Sequence, residues 1–232
     1  MLQNLLLLHG ALGGIDQFAE LKTLLDPYFR VHAFNFLGHG GREIPDQFSI
    51  HRFADETLEY LEGQKIDVAH VFGYSMGGYV ALQLSKDHPD RIEKIMTLGT
   101  KFNWTKESAE KEIKMLDPEV VETKVPKFAE MLKHRHQPED WKTVMIKTAQ
   151  MMTSLGNGAA MTEDDFRKIQ NNILICLGTE DTMVTREESM NVVSNLKNGC
   201  FKLVEGFKHP IEAVDKVELS KIILDFMRDR EN

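Results

Sequence analysis

Two cysteines in 232 residues are too few to frame a disulfide-stapled fold. Cys176 sits inside the apolar run ILICL and Cys200 follows Asn198-Gly199; neither has metal-ligand neighbours at useful spacing. Both read as reduced thiols, the usage expected of a cytoplasmic protein. No Lys/Arg-rich block is present, and 36 acidic against 28 basic residues give a net charge of −8, which argues against a nucleic-acid partner. No run approaches the ~18 apolar residues that a membrane span requires. The opening LLLL lacks a basic flank, stops at His9-Gly10 and shows no small-residue cleavage pattern, so it is not expected to be a secretory leader. There is no internal repeat and no low-complexity tract. Enough is left for a buried core: 42% of the residues are hydrophobic, which fits one large domain or one domain with an insertion.

Short apolar runs alternate with segments of helical period, the pattern of a parallel sheet covered on both faces. The expected strands are Asn4–Leu8, Val31–Phe36, Val68–Phe72, Ile95–Leu98, Ile173–Leu177 and Phe201–Val204. Between them, Phe18, Leu21 and Leu25 form one helical stripe, and Ile50, Phe53, Leu58 and Leu61 form another that Ser49 would cap. Met76–Leu84 is apolar nearly all round and reads as a buried helix. Thr185 to Glu188 has the spacing of a capping box for a helix that Gly199 would end.

Residues 102–162 break the alternation. Helix starts recur at Thr105, at Asp117-Pro118 and near Gln137-Pro138, with a break at Val125-Pro126 and no strand-like run among them. This predicts a helical cap insertion over 102–162 in a core built from 1–101 and 163–232. Met115, Met131, Met145, Met151, Met152 and Met161 would give the insertion an adaptable apolar surface or its own core.

The stretch GYSMGG at 73–78 follows an apolar run and precedes a helix. A serine on such a strand-to-helix turn is held in a strained backbone with its hydroxyl exposed, while the flanking glycines let strand and helix approach. Ser75 is therefore the candidate nucleophile. A serine needs a base, a carboxylate to orient that base, and donors where negative charge develops. In the chain order nucleophile, acid, base, only His209 lies beyond the fifth strand, at the edge where ligands gather in open α/β sheets. The loop leaving that strand offers Glu180 and Asp181, and Asp181, which clears the strand end further, is preferred. The loop HGALGG at 9–14 can bring a main-chain N–H close to a carbonyl oxygen, which makes the Ala11 and Met76 amides the candidate oxyanion hole. His9, preceding the acid, reads as structural. Leu12, Phe102 and Trp104 are candidate lining of a substrate pocket.

These motifs together resemble the α/β-hydrolase superfamily over nearly the whole chain: the His9-Gly10 loop, FNFLGHGG at 34–41, the GYSMGG elbow, the approach to Asp181, and EGFKHPIEAV around His209. The resemblance implies a mostly parallel six-stranded sheet lacking the two leading strands common in the superfamily. It implies Ser75, Asp181 and His209 as the triad of a carboxylic ester hydrolase acting on a small ester or thioester, with no cofactor or metal. Asn35 stands where Asp is usual, Gly41 where Ser is common, and the proline often found before the fifth strand is absent at Asn171-Asn172. The alternatives are a carbon–carbon bond hydrolase or a menaquinone-pathway-like lyase, and a non-catalytic ligand-binding protein. The carbon–carbon and lyase chemistries call for a cation that holds a substrate carboxylate. Arg135, the only arginine in the insertion, is read instead as a solvated helix end, and His134 and His136 point apart as metal ligands would not.

Overall fold

The computed structural model describes residues 2–228. Its chain runs β1 (Asn4–Leu8), α1 (Ala19–Leu25), β2 (Arg30–Ala33), α2 (Ile50–Gly63), β3 (Ala69–Tyr74), α3 (Met76–Asp87), β4 (Ile92–Leu98), then four consecutive helices, α4 (Lys106–Ile113), α5 (Pro118–Lys124), α6 (Pro126–His136) and α7 (Trp141–Ser154). It resumes with α8 (Glu163–Lys168), β5 (Asn172–Glu180), α9 (Arg186–Asn195), β6 (Gly199–Lys208) and α10 (Lys216–Arg228). The six strands form one sheet in the order β2-β1-β3-β4-β5-β6, every neighbouring pair parallel.

Strand periodicity explains the two layers of core. Leu5 and Leu7 of β1, Phe72 of β3, and Met96 and Leu98 of β4 face α1 and α10, where they meet Leu21, Leu25, Leu219 and Ile223. Their alternates Leu6, Leu8, Val71 and Ile95 face α2 and α3 and meet Phe53, Leu61, Val80 and Leu84. Both faces of the central strands are thus dry, which is why these strands read as unbroken apolar runs rather than alternating ones. Burying each such side chain contributes about 1.5–3 kcal/mol.

Boundaries differ where partners override pattern. The apolar run to Phe36 leaves the sheet after Ala33 because the Phe36 N–H donates to His9 Nε2 at 3.1 Å instead of to a strand. Strands β5 and β6 extend beyond their apolar cores, paired from Ile173↔Gly199 to Glu180↔Lys208. Ser49 and Thr185 cap α2 and α9 through their hydroxyls. The box expected at α9 closes on one side only: Glu188 Oε1 accepts the Phe102 N–H at 3.0 Å, so its carboxylate is drawn to the β4 loop. Helix α9 ends at Asn195, and Gly199 opens β6 rather than terminating the helix. Pro118 and Pro126 stand at the first positions of α5 and α6, whereas α7 starts at Trp141 under an Asp140 cap, past Gln137-Pro138.

Candidate active site

Ser75 joins β3 to α3 with φ 51° and ψ −118°, a left-handed conformation that costs a non-glycine residue about 1–3 kcal/mol. The turn is pinned on both sides: the Ser75 N–H donates to Leu98 O at 2.9 Å, and Thr100 Oγ1 donates to Ser75 O at 2.9 Å. A side chain at Gly73 would collide with the backbone of Gly77 and Gly78, so glycine is what allows strand and helix to fold back this tightly. A side chain at Gly77 would likewise collide with the carbonyls of Leu8 and His9, so the elbow lies close against the end of β1 and the loop after it.

Opposite the serine, His209 follows β6 and Asp181 follows β5. Ser75 Oγ lies 3.3 Å from His209 Nε2, and His209 Nδ1 lies 2.8 Å from Asp181 Oδ2. A carboxylate can only accept, so Nδ1 carries the proton and Nε2 is left to accept from the serine hydroxyl. Asp181 Oδ1 accepts two further N–H groups, from Met183 at 2.8 Å and Val184 at 3.0 Å, which fix the carboxylate's direction. Burial pushes the Asp181 carboxyl upward, but the His209 hydrogen bond and charge together with those two amides outweigh it and hold it below the usual carboxylate range. Gly99, at φ 61°, passes close beneath this pair, and a Cβ there would sit 3.0 Å from Asp181 Oδ2. Glu180, the other acid of this loop, is exposed and faces Lys208 at 3.6 Å.

The Met76 N–H heads α3 and has no partner inside the helix. Ala11 lies across from it and shares the cavity with Ser75, Met76 and His209. The loop carrying Ala11 is held rigidly from behind. Leu12, itself in a left-handed conformation at φ 57°, offers its carbonyl to Arg135 Nη1 and to His136 Nε2, each at 3.2 Å. His136 Nδ1 in turn accepts the Gly40 N–H at 3.2 Å. His9 is buried with Nδ1 donating to Gly10 O at 2.8 Å and Nε2 accepting from Phe36. Asn35 fills its unusual position by accepting the Ile15 N–H at 2.8 Å and donating to Gly40 O at 3.3 Å; an aspartate could not make the second bond.

Arg135 differs from its expected place. Its side chain is only 7% exposed, and besides Leu12 O it engages Asp16 and Glu212 at 3.0 and 3.2 Å. The helix end is not solvated because it docks on the loop after β1.

The cavity at the serine, about 50 Å³, is walled by Ile50, Tyr79, Trp104, Met151, Met152 and Leu155, with Met183 and Val184 near His209. Lys101 and Glu112 complete its lining. Trp104 is therefore brought to the cavity. Leu12 and Phe102 are not: Leu12 packs into the core, and Phe102 is buried against Tyr79 and Phe166. Sequence reasoning missed Lys101, although its position just past the carboxyl end of β4 was a usable signal. Among the described residues, no group of three or more His, Cys, Asp or Glu could hold a metal ion, and no helix is long and apolar enough to cross a membrane.

Residues 3–132 match the family model described as alpha/beta hydrolase fold. The chain belongs to the α/β-hydrolase fold family. Among curated members, a Caulobacter vibrioides protein named "Putative carbamate hydrolase RutD" is 23% identical over 97% of this chain and 90% of its own length. A pimeloyl-acyl-carrier-protein methyl ester esterase of Vibrio vulnificus is 30% identical over 42% of this chain and 36% of its own. Among solved α/β hydrolases, the 2-hydroxy-6-oxo-6-phenylhexa-2,4-dienoate hydrolase of a Rhodococcus species superposes with a TM-score of 0.80 at 18% identity, covering 98% of this chain and 91% of that one. That likeness is one of fold.

Proposed function

We propose that this α/β hydrolase cleaves a small carboxylic ester or thioester through an acyl-enzyme on Ser75. The observation that carries the reading is the unbroken hydrogen-bond chain from Ser75 Oγ through His209 to Asp181, opening on an apolar cavity. Ser75 Oγ attacks the substrate carbonyl while His209 Nε2 takes its proton, and Asp181 steadies the resulting imidazolium through Nδ1. The tetrahedral oxyanion forms between the Ala11 and Met76 amides, at the positive end of α3. Collapse expels the alcohol or thiol, which takes the proton back from His209; a water activated in the same way then releases the acid. Residues 102–162 act as a cap domain on a core of 1–101 and 163–232, supplying Trp104, Glu112, Met151, Met152 and Leu155 to the cavity.

The same steps open a carbamate carbonyl, and the name of the Caulobacter relative supports including that class in any substrate panel. Carbon–carbon cleavage has less behind it, because Arg135, the one arginine of the cap, is engaged by Asp16, Glu212 and the Leu12 carbonyl, and Lys101, the cation that lines the cavity, is engaged by Glu112 and Glu188. The test is labelling by a fluorophosphonate followed by turnover of graded p-nitrophenyl esters, acyl-CoAs and carbamates. Labelling of the intact protein but not of Ser75→Ala is expected. A probe that labels both alike, or neither, removes the assignment, and turnover restricted to a carboxylate-bearing diketone replaces ester cleavage by carbon–carbon cleavage.

A further inference from the structure

Away from Ser75 and His209, the charged side chains of the cavity wall are gathered at one place. There Lys101 and Glu112, with side chains 16% and 9% exposed, face one another with Nζ 3.3 Å from Oε1. A third charged group backs them: Glu188, its side chain 4% exposed, stands 3.9 Å from Lys101 Nζ while accepting the Phe102 N–H. Taking such groups out of water costs several kcal/mol per ion, and well-packed apolar residues would serve folding as well or better. The stability of the fold therefore does not account for them.

Their contacts are unequal. Lys101 Nζ is surrounded, by Glu112, by Glu188 and by Met183 O at 3.4 Å. Glu188 is satisfied through Phe102, Thr185 and Lys101. Glu112, which lines the cavity, has Lys101 as its one side-chain partner among the described residues, and a carboxylate with a single partner keeps acceptor capacity to spare. Counting formal charges, one ammonium against two carboxylates leaves the cluster negative by one. Such a site accepts from a donor and repels an anion, and the apolar wall around it strengthens both effects.

From this we infer that Glu112, positioned by Lys101, is a specificity determinant that selects substrates carrying a hydrogen-bond donor, an ammonium above all, away from the scissile carbonyl, and that rejects substrates carrying a carboxylate there. The inference rests on Ser75 being the nucleophile of this cavity, and it deepens that reading by naming a substrate class.

Three fluorophosphonates of equal chain length, ending in an ammonium, a methyl or a carboxylate group, test it without requiring turnover. Labelling rates are measured on the intact protein, on Glu112→Gln and on Lys101→Met, each first checked by a thermal melt. The ammonium probe is expected to label the intact protein at least about tenfold faster than the carboxylate probe, with the methyl probe between them. Glu112→Gln removes the negative surplus and should bring the ratio to within about twofold. Lys101→Met enlarges that surplus and should widen the ratio, which keeps the test open if Glu112→Gln does not fold. Equal rates in the intact protein, or a ratio that neither substitution moves, overturn the inference while Ser75 keeps its role. If no probe labels the intact protein, Ser75 itself is lost, and that outcome is distinct from the first.

Discussion

His209 and the buried group of His9, His39 and His136 lie on two sides of the same loop, and their partners separate their roles. His209 is one-tenth exposed and bonded to a carboxylate, with its other nitrogen turned to a serine. The three buried rings sit 5.1 and 5.7 Å apart in sequence from His9 to His39 to His136, bonded to backbone carbonyls and amides. Burial drives the His9 and His136 imidazoles down to about 4 and His39 well below its ordinary value, against the raising effect of the carbonyls. A ring bonded to an anion can take up a proton during a reaction; a ring wedged among carbonyls and other imidazoles serves as a neutral strut. Neither role can be read from residue type.

The comparison breaks at once if the wrong ring matters for turnover. His209→Ala or Ser75→Ala should lower kcat on the order of 10⁶-fold with little change in melting temperature. Asp181→Asn keeps the shape but favours the wrong tautomer of His209, and a loss of roughly 10⁴-fold in kcat is expected. Replacing Ala11 with proline deletes one amide donor and should cost about 10²–10³-fold, read as a fall in kcat at similar KM.

How much of this division was legible in the sequence follows from what sets each feature. The central strands announce themselves because both of their faces are dry, and the elbow because only glycine fits beside Gly77 and Gly78. The preference for Asp181 over Glu180 rested on clearance from the strand end; Asp181 does meet His209, and Glu180 stays in solvent beside Lys208. Arg135 is not the solvated helix end expected from the sequence, since its partners Leu12, Asp16 and Glu212 lie far away in the chain and the docking of α6 is a tertiary event. Nearness to strand ends points Leu12 and Phe102 to the pocket, but a left-handed backbone at Leu12 and the Tyr79 and Phe166 rings around Phe102 send both side chains into packing. Lys101, one residue from Phe102, lines the cavity instead.

The buried rings should answer to acid where His209, in the proposed reaction, answers to chemistry. An imidazole lowered to about 4 in the folded state and near 6.5 in the unfolded chain binds its proton first in the unfolded state. Stability is therefore whole above pH ~6.5 and falls toward pH ~4, with each such ring adding up to about 1.4 kcal/mol per pH unit to the slope. Asp181 adds its own loss at lower pH, beginning as pH falls through the ordinary carboxylate value of 3.8 that the unfolded chain keeps and ending at its depressed folded value. His136→Gln, which removes one titrating ring among Arg135, Asp16, His9 and His39, should flatten the denaturant-measured slope between pH 4 and 6.5 by up to about 1.4 kcal/mol per unit while costing about 1–3 kcal/mol at neutral pH for an imperfectly replaced Gly40 or Leu12 bond. A slope unchanged in that variant would move the acid sensitivity to another group.

The smallest expected effect probes the acidic side of the comparison. Glu180 and Asp181 are chain neighbours of the same chemistry, yet one carboxylate is buried under His209 and the other is about half exposed beside Lys208. An exposed pair of that kind contributes little, because water screens it and two long side chains must be held in place. Glu180→Gln should therefore leave kcat within about twofold and stability within about 0.5 kcal/mol, measured by ester turnover and urea titration. A loss in kcat comparable with that of Asp181→Asn would mean that the loop after β5 rearranges during the reaction to exchange one acid for the other, and the division between anion-bonded and carbonyl-bonded histidines would no longer rest on Asp181.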